Sequence, residues 1–440
     1  MLDTANEARE APDDIRPEED DPRDRPFNPW RCPKTNTAKA LVAEATDALE
    51  DEERRAGKRK RKRRPQDQAN FKKAVAAILA DVMHHVLDGH PGGLSVTRSK
   101  RQLTAASRYR PAFIGKTFPD ILDALSSAGL IQQKVAPNRP EILTGLQSVI
   151  RAAPRLRQWI CDREITLRDL TVARKGCETI ILKRTKEDRW DKGGRLGYLD
   201  TGRTRALRAE MVEINDWLEA ADLNVALTWD RLGTVDLEDR TLCRHFTHGS
   251  FERGGRLFGG FWQCMRKEER RDGLLIDGEE AVELDYGQVC PRIVYGLCGS
   301  LPSSADLYAI PGFDHRRAGI KKVMNAMLFA EHRLTQMPKG TRKLFPGRET
   351  VEEIVSAIEV AHPEIRDAFF RGIGHEVMFH ESTILVEALL DLKARGIAAL
   401  PIHDAVMVPQ SRAEEIRTGR GIDGLPPPKC TSTREARAGS

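Results

Sequence analysis

Two aspartates and a pair of cations four residues apart are the groups in this chain best suited to chemistry. Asp285 opens the stretch D-Y-G-Q-V-C-P-R that ends at Arg292, and Asp404 lies in L-P-I-H-D-A-V-M-V, from Leu400 to Val408. Between them runs Arg317-x-x-x-Lys321, followed by Asn325 and Phe329 at the same four-residue interval. Two carboxylates brought close repel each other unless cations bridge them, which is the arrangement a two-metal phosphoryl-transfer site requires, with ions ~4 Å apart. Two cations on one helix face suit a triphosphate, because each neutralises a neighbouring phosphoryl group.

The flanking sequence says what must position these groups. Leu274-Leu275-Ile276 and Ala281-Val282-Glu283-Leu284 flank Asp277-Gly278, and Asp-Gly between apolar runs is the strongest short hairpin signal. The second arm ends on Asp285, and Arg292-Ile293-Val294-Tyr295 reads as the start of a helix behind it. Apolar arms on either side of His403-Asp404 make a second hairpin with the polar pair at its turn. Laid beside the first, it would bring Asp404 next to Asp285. Four-residue spacing puts Arg317, Lys321 and Asn325 on one helix face, with Phe329 a turn further on. Upstream, Arg256 directly follows Gly254-Gly255, where a backbone can approach closely.

Composition bounds the rest. At 440 residues there is room for two or three domains, while 40% apolar and 31% charged residues predict that parts of the chain are unfolded tails. A net charge of +5 conceals segregation: the first 25 residues are acidic, and Arg54–Arg64 is almost entirely basic and suits phosphate backbones. The eight cysteines are scattered without C-x-x-C or Cys/His ligand spacing, which predicts a reducing compartment and neither a zinc site nor a disulfide framework. With no membrane-length apolar run and no signal-peptide pattern, the expectation is a soluble, cytoplasmic protein that binds no membrane.

Along the chain, residues 1–68 read as a disordered, charged tail. In 69–146, Ala74, Val75, Ile78, Leu79, Val82, Met83 and Val86 predict a helix stopped by Asp88-Gly89 and Pro91-Gly92-Gly93. Thr117 reads as the N-cap of Phe118–Ala128 with Gly129 as its stop, before a strand over 130–135 that enters a turn at Pro137-Asn138-Arg139. This order resembles a winged helix-turn-helix, and Lys100, Arg101, Arg108, Arg110, Lys116 and Lys134 would suit a DNA duplex. Residues 147–240 read as a basic, helical, thumb-like connection with a helix over Thr204–Ala221 and a glycine-basic turn at Lys192–Tyr198. The two-hairpin region spans 241–412, and 413–440 reads as a second tail.

In the order in which they occur, these motifs resemble those of the right-handed palm polymerases, the group that includes family A DNA polymerases and the phage single-subunit RNA polymerases. Asp285, Tyr286, Gln288 and Arg292 match motif A, Arg317 and Lys321 with Phe329 match motif B, His403-Asp404 matches motif C, and Gly255-Arg256 resembles the upstream G-R motif. The resemblance covers about residues 240–412. It implies that Asp285 and Asp404 ligate two Mg²⁺ ions (Mn²⁺ substituting) with the Tyr286 carbonyl assisting. Arg317, Lys321, Asn325, Phe329, Gln288 and Cys290 would bind the nucleoside triphosphate. Arg256, Arg292 and His403 would contact the DNA template and primer. A helix from about Ile365 to Lys393 would carry Glu381 and Ser382 toward the site. The chain departs from family A at Cys290, where a glutamate excludes the ribose 2′-hydroxyl, and at Phe329, Ala330 and Ala405.

The expected architecture is therefore α+β: a palm with an antiparallel sheet and abbreviated fingers, preceded by a winged-helix-like domain and a disordered tail. The expected function is template-directed nucleotidyl transfer, DNA polymerase-like, to a primer 3′-hydroxyl. The alternatives are a polymerase-shaped DNA-binding initiator or regulator without chemistry, and a primase-like enzyme making ribonucleotide oligomers. Asp162-Arg163-Glu164 has the D-x-E form of an exonuclease motif but no recognisable partners.

Overall fold

The stretch before residue 69, expected to be unfolded, holds a long helix. In the computed structural model the described residues are 24–57, 61–136, 147–173, 176–186, 193–226, 235–285, 287–418 and the backbone of 429–430. The chain is mixed α+β with several sheets and divides into two units, Met1–Cys177 and Glu178–Ser440. Among the described residues no helix is long and apolar enough to cross a membrane.

In the first unit, Thr35 caps α1 (Asn36–Arg55) by accepting the Ala38 N–H. Ala38, Leu41, Val42, Ala45 and Leu49 are buried in one core with α2 (Pro65–Leu87). That stripe is small and interleaved with Lys39, Glu44, Asp47 and Glu50, so average composition conceals its helical period. α2 carries the predicted apolar face and also the fully buried Asp81. The Asp81 carboxylate accepts the Arg25 guanidinium at 2.9 Å, Arg31 at 3.1 Å and the Asn28 N–H at 2.7 Å, tying β1 (Arg25–Pro26) and β2 (Arg31–Pro33) to the helix.

β3 (Leu94–Val96), α3 (Lys100–Thr104), α4 (Phe118–Ser127), β4 (Ile131–Lys134) and β5 (Ser148–Ala152) follow, and the sheet order is β1-β3-β5-β4. Gly129 ends α4 at φ +69°, as expected, but the Thr117 side chain makes no capping bond because its own backbone is already helical. The turn at 137–139 lies outside the described residues. α5 (Pro154–Asp162) and β6 (Leu170–Val172) complete this unit, with β6 antiparallel to β2. The expected 147–240 connection is thus divided: β5 completes the first unit's sheet, and everything from Glu178 belongs to the second.

The second unit opens with a three-stranded sheet in which β7 (Ile180–Leu182) runs parallel to β9 (Leu242–Phe246) and β10 (Gly254–Gly259) antiparallel to it. α6 (Gly202–Ala220) lies between β7 and β9 in sequence, opened by a reciprocal Thr201–Thr204 capping box. The main sheet has the order β13-β14-β12-β11-β8, antiparallel throughout, built from β8 (Leu223–Val225), β11 (Leu274–Ile276), β12 (Glu279–Asp285), β13 (Leu400–Ile402) and β14 (Ala405–Pro409). Asp277 and Gly278 both take positive φ, the backbone a two-residue hairpin needs, so the Asp-Gly signal is borne out.

Four longer helices follow: α7 (Val289–Leu297), α8 (Arg317–Phe329), α9 (Val351–Ala361) and α10 (Gly374–Ala394). The expected Ile365–Lys393 helix is interrupted. A 3₁₀ turn covers Pro363–Ala368, and Phe370 and Gly372 take positive φ before α10 begins. Leu385 and Leu389 of α10 share one core with Leu284, Val406 and Val408, whereas α7, α8 and α9 close a second around Tyr295, Ile320 and Ile358. The expected tail from 413 begins with α11 (Ala413–Thr418), whose Ile416 is buried in the first of these cores, and the backbone of β15 (Lys429–Cys430) pairs with Leu284 and Asp285.

Candidate active site

Asp285 ends β12 with Ala405 as its register partner across the β12–β14 pair, and Asp404 immediately precedes Ala405 in the hairpin turn. The two carboxylates therefore stand at the same end of one sheet. Burial pushes the Asp285 carboxyl above the ordinary range, and the Asp404 charge raises it further, while Lys321 on α8 draws it back down. Its neighbours thus include one repelling carboxylate and one attracting ammonium.

Behind this pair lies a buried polar chain. Glu381 of α10, 3% exposed, accepts the Arg256 guanidinium of β10 at 2.8 Å and lies 3.4 Å from the Cys290 thiol of α7. Burial pushes the thiol up to about 12, with Glu381 and Asp404 adding to the shift, so it is a neutral donor to the carboxylate. Glu381 is itself raised, first by burial and then by Asp404, against the opposing pull of Arg256. The paired glycines make this approach possible. Gly255 sits at φ +85°, and a Cβ there would meet the Ser382 hydroxyl at 2.5 Å. The neighbouring Arg244, fully buried, donates to the Gly255 carbonyl at 3.0 Å and to Ser382 and Thr383, which fixes α10 against β10.

Helix α8 presents the expected cations, though not in equal states. Lys321 is exposed and acts on Asp285. Arg317 already pairs with Asp306 at 2.7 Å and lies 5.3 Å over the ring of Tyr308, a buried phenol whose surroundings include Cys290 and Asp404. Asn325 is half-buried, and its Oδ1 has no hydrogen-bond partner among the described residues. Phe329 is 44% exposed and meets the His375 ring edge-on at 5.0 Å. Gly374 leaves room for it, since a Cβ there would strike the Phe329 ring at 2.5 Å.

Other expected residues make contacts within the chain. The Gln288 amide is engaged at both ends: Nε2 donates to the Ala305 carbonyl at 3.1 Å, and Oε1 accepts the Leu307 N–H at 2.5 Å. Held in the left-handed conformation at the start of α7, it clamps the 305–307 segment. Arg292 likewise donates to the Ala305 carbonyl at 3.3 Å. His403 is exposed at the turn with φ +55°. Tyr286 lies outside the described residues. Asp306, Tyr308 and His375 carry no periodicity or motif that could have announced them. Tyr308 and Asp306 fall in a segment without helix or strand, and only the fold brings them to α8.

A pair of carboxylates at one sheet end, mutually repelling and only partly offset by Lys321, is a donor set suited to hard divalent cations. Among the described residues no group of three or more His, Cys, Asp and Glu side chains forms a preassembled metal cage. No protein-family model matches this chain, and no curated protein matches it.

Proposed function

We propose that this protein is a template-directed nucleotidyltransferase that adds nucleotides to a primer 3′-hydroxyl. The observation that carries the reading is the placement of Asp285 and Asp404 at one end of adjacent antiparallel strands, with Lys321 acting on Asp285 from α8. Support for a palm comes from the two hairpins in one sheet backed by α10. Support for a winged-helix module comes from the order helix, strand, two helices, hairpin, with strands in the order β3-β5-β4.

In the proposed reaction the 3′-oxygen forms a bond to the α-phosphorus, the bond to the bridging oxygen breaks, and pyrophosphate departs. Divalent ions held by Asp285 and Asp404 would lower the pKa of the attacking hydroxyl and neutralise the departing pyrophosphate. Lys321 supplies positive charge along the phosphates, and Arg317 can do so by exchanging Asp306 for a phosphoryl oxygen. Phe329 offers an exposed ring at the end of the same helix face. The neutral Cys290 thiol, backed by Glu381, leaves room near the sugar that a glutamate side chain would fill.

Extension of a labelled primer–template with Mg²⁺ or Mn²⁺, using ribo- and deoxyribonucleotides separately, tests this directly. Wild-type protein should incorporate, and Asp404→Ala should lose ~10³-fold or more. Equal background from the two would end the proposal.

A further inference from the structure

Arg317 opens α8 already committed to a carboxylate, and the segment that supplies it is held firmly despite having neither helix nor strand. The guanidinium bonds Asp306 Oδ2 at 2.7 Å and lies 5.3 Å over the Tyr308 ring, itself 2% exposed. Asp306 Oδ1 accepts the Tyr308 N–H at 3.1 Å, so the carboxylate is aimed by its own backbone and turns its second oxygen to Arg317.

Backbone groups on both sides of Asp306 are tied into the fold. The Ala305 carbonyl accepts Gln288 Nε2 and Arg292, and the Leu307 N–H donates to Gln288 Oε1. From the other side His362 donates from Nε2 to the Leu307 carbonyl at 2.8 Å. That carbonyl can only accept, so His362 Nδ1 is left to accept the Tyr295 hydroxyl at 2.9 Å, and both of these side chains are buried. Breaking such bonds strands polar groups away from water. The Arg317–Asp306 pair is different: both side chains are partly exposed, and a solvated ion pair is weak and screened by salt. In an exchange of partners the guanidinium moves and the carboxylate stays.

We propose that Asp306 is a fixed competitor for Arg317, holding the guanidinium until a phosphoryl group of the nucleotide takes it, and so sets the affinity for the triphosphate. A carboxylate carries one negative charge and a terminal phosphoryl group about two, which makes Asp306 the weaker partner and lets the substrate displace it at a cost. The competition is confined to Arg317, since Lys321, one turn further along α8, acts on Asp285. This inference rests on the nucleotidyltransferase reading for the identity of the anion and adds how its seat is regulated.

Fluorescence titration of the full chain with N-methylanthraniloyl ATP and Mg²⁺, without primer or template, provides the test. Asp306→Asn keeps the oxygen that accepts the Tyr308 N–H and removes the charge, and it should tighten binding about three- to fivefold. In an Arg317→Ala background, where no pair has to be broken, that gain should shrink by at least half. Unchanged or weaker binding in Asp306→Asn, or no binding by that variant, overturns the proposal. An equal gain in the two backgrounds also overturns it, because it reduces Asp306 to a charge that repels the ligand. No bond is made in this assay, so its outcome is separable from that of primer extension. Tightened binding with failed extension retires the nucleotidyltransferase reading and keeps the exchange, whereas extension without tightening does the reverse.

Discussion

Glu381 holds a buried carboxylate oxygen 3.4 Å from the Cys290 thiol, and that contact sets what position 290 can tolerate. A carboxylate at 290 would face a second carboxylate that already shares its single guanidinium, Arg256. Cys290→Glu should therefore destabilise the protein by about 3 kcal/mol, and Glu381→Gln in the same chain should recover much of that loss. Thermal melts of the two single variants and the double variant measure the coupling. Additive losses would show that the contact is not electrostatic.

The same position bears on the sugar. If the neutral thiol leaves the 2′-position open, the ratio of ribo- to deoxyribonucleotide incorporation should fall in Cys290→Glu combined with Glu381→Gln, the form in which the added carboxylate is tolerated. An unchanged ratio would remove Cys290 from any role in sugar choice.

Asp285 illustrates a site held at a cost to stability. Its carboxylate is half-buried beside Asp404, so its charged form is disfavoured in the fold. Asp285→Asn removes that repulsion and should raise stability by roughly 0.5–2 kcal/mol in the absence of divalent ions, while abolishing incorporation. Mg²⁺ should then stabilise wild type and leave the variant unmoved. A variant that melts lower than wild type without metal would contradict the electrostatic account.

What the sequence made legible was local. Asp277-Gly278 and His403-Asp404 specify tight turns through their own backbone preferences, and Arg317–Phe329 has a clean helical period, so both hairpins and α8 could be read directly. The pairing of the hairpins followed only from the resemblance, because register between distant strands is set by packing. α1 was missed because its apolar stripe is alanine-rich, and the break before α10 because left-handed Phe370 carries no turn signature. Gln288 was assigned to a nucleotide, yet a polar side chain at a helix start can as readily satisfy backbone groups, and here Ala305 and Leu307 take both its ends. Among the cations expected to suit a duplex, Lys100 pairs with Asp120 of α4 and Arg110 donates to carbonyls at the end of α3, contacts that sequence spacing does not announce.

Gly255 tests whether the backbone approach of β10 to α10 is needed. Any side chain there meets both a positive φ and the Ser382 hydroxyl. Gly255→Ala should cost about 2 kcal/mol or more and displace Arg256 from Glu381. Gly278→Ala, also at positive φ but with open space around its Cβ, should cost less. Equal losses in denaturant titrations would reduce the effect to backbone strain alone.

Two imidazoles make the fold sensitive to acid. Burial, with His248 and Arg253 adding, holds His375 down to about 4, and burial with Lys183 and Arg195 holds His245 to about 3. Both are neutral in the fold, while the unfolded chain takes up protons near ~6.5. Their contribution is therefore complete above that pH and is lost as pH falls from ~6.5 through about 4 for His375 and about 3 for His245. His375→Phe keeps a ring against Phe329 and removes the proton, so between pH 7 and 4.5 it should lose on the order of 1 kcal/mol less than wild type. Chemical denaturation at both pH values measures the difference. Identical losses in the two proteins would place the acid sensitivity elsewhere.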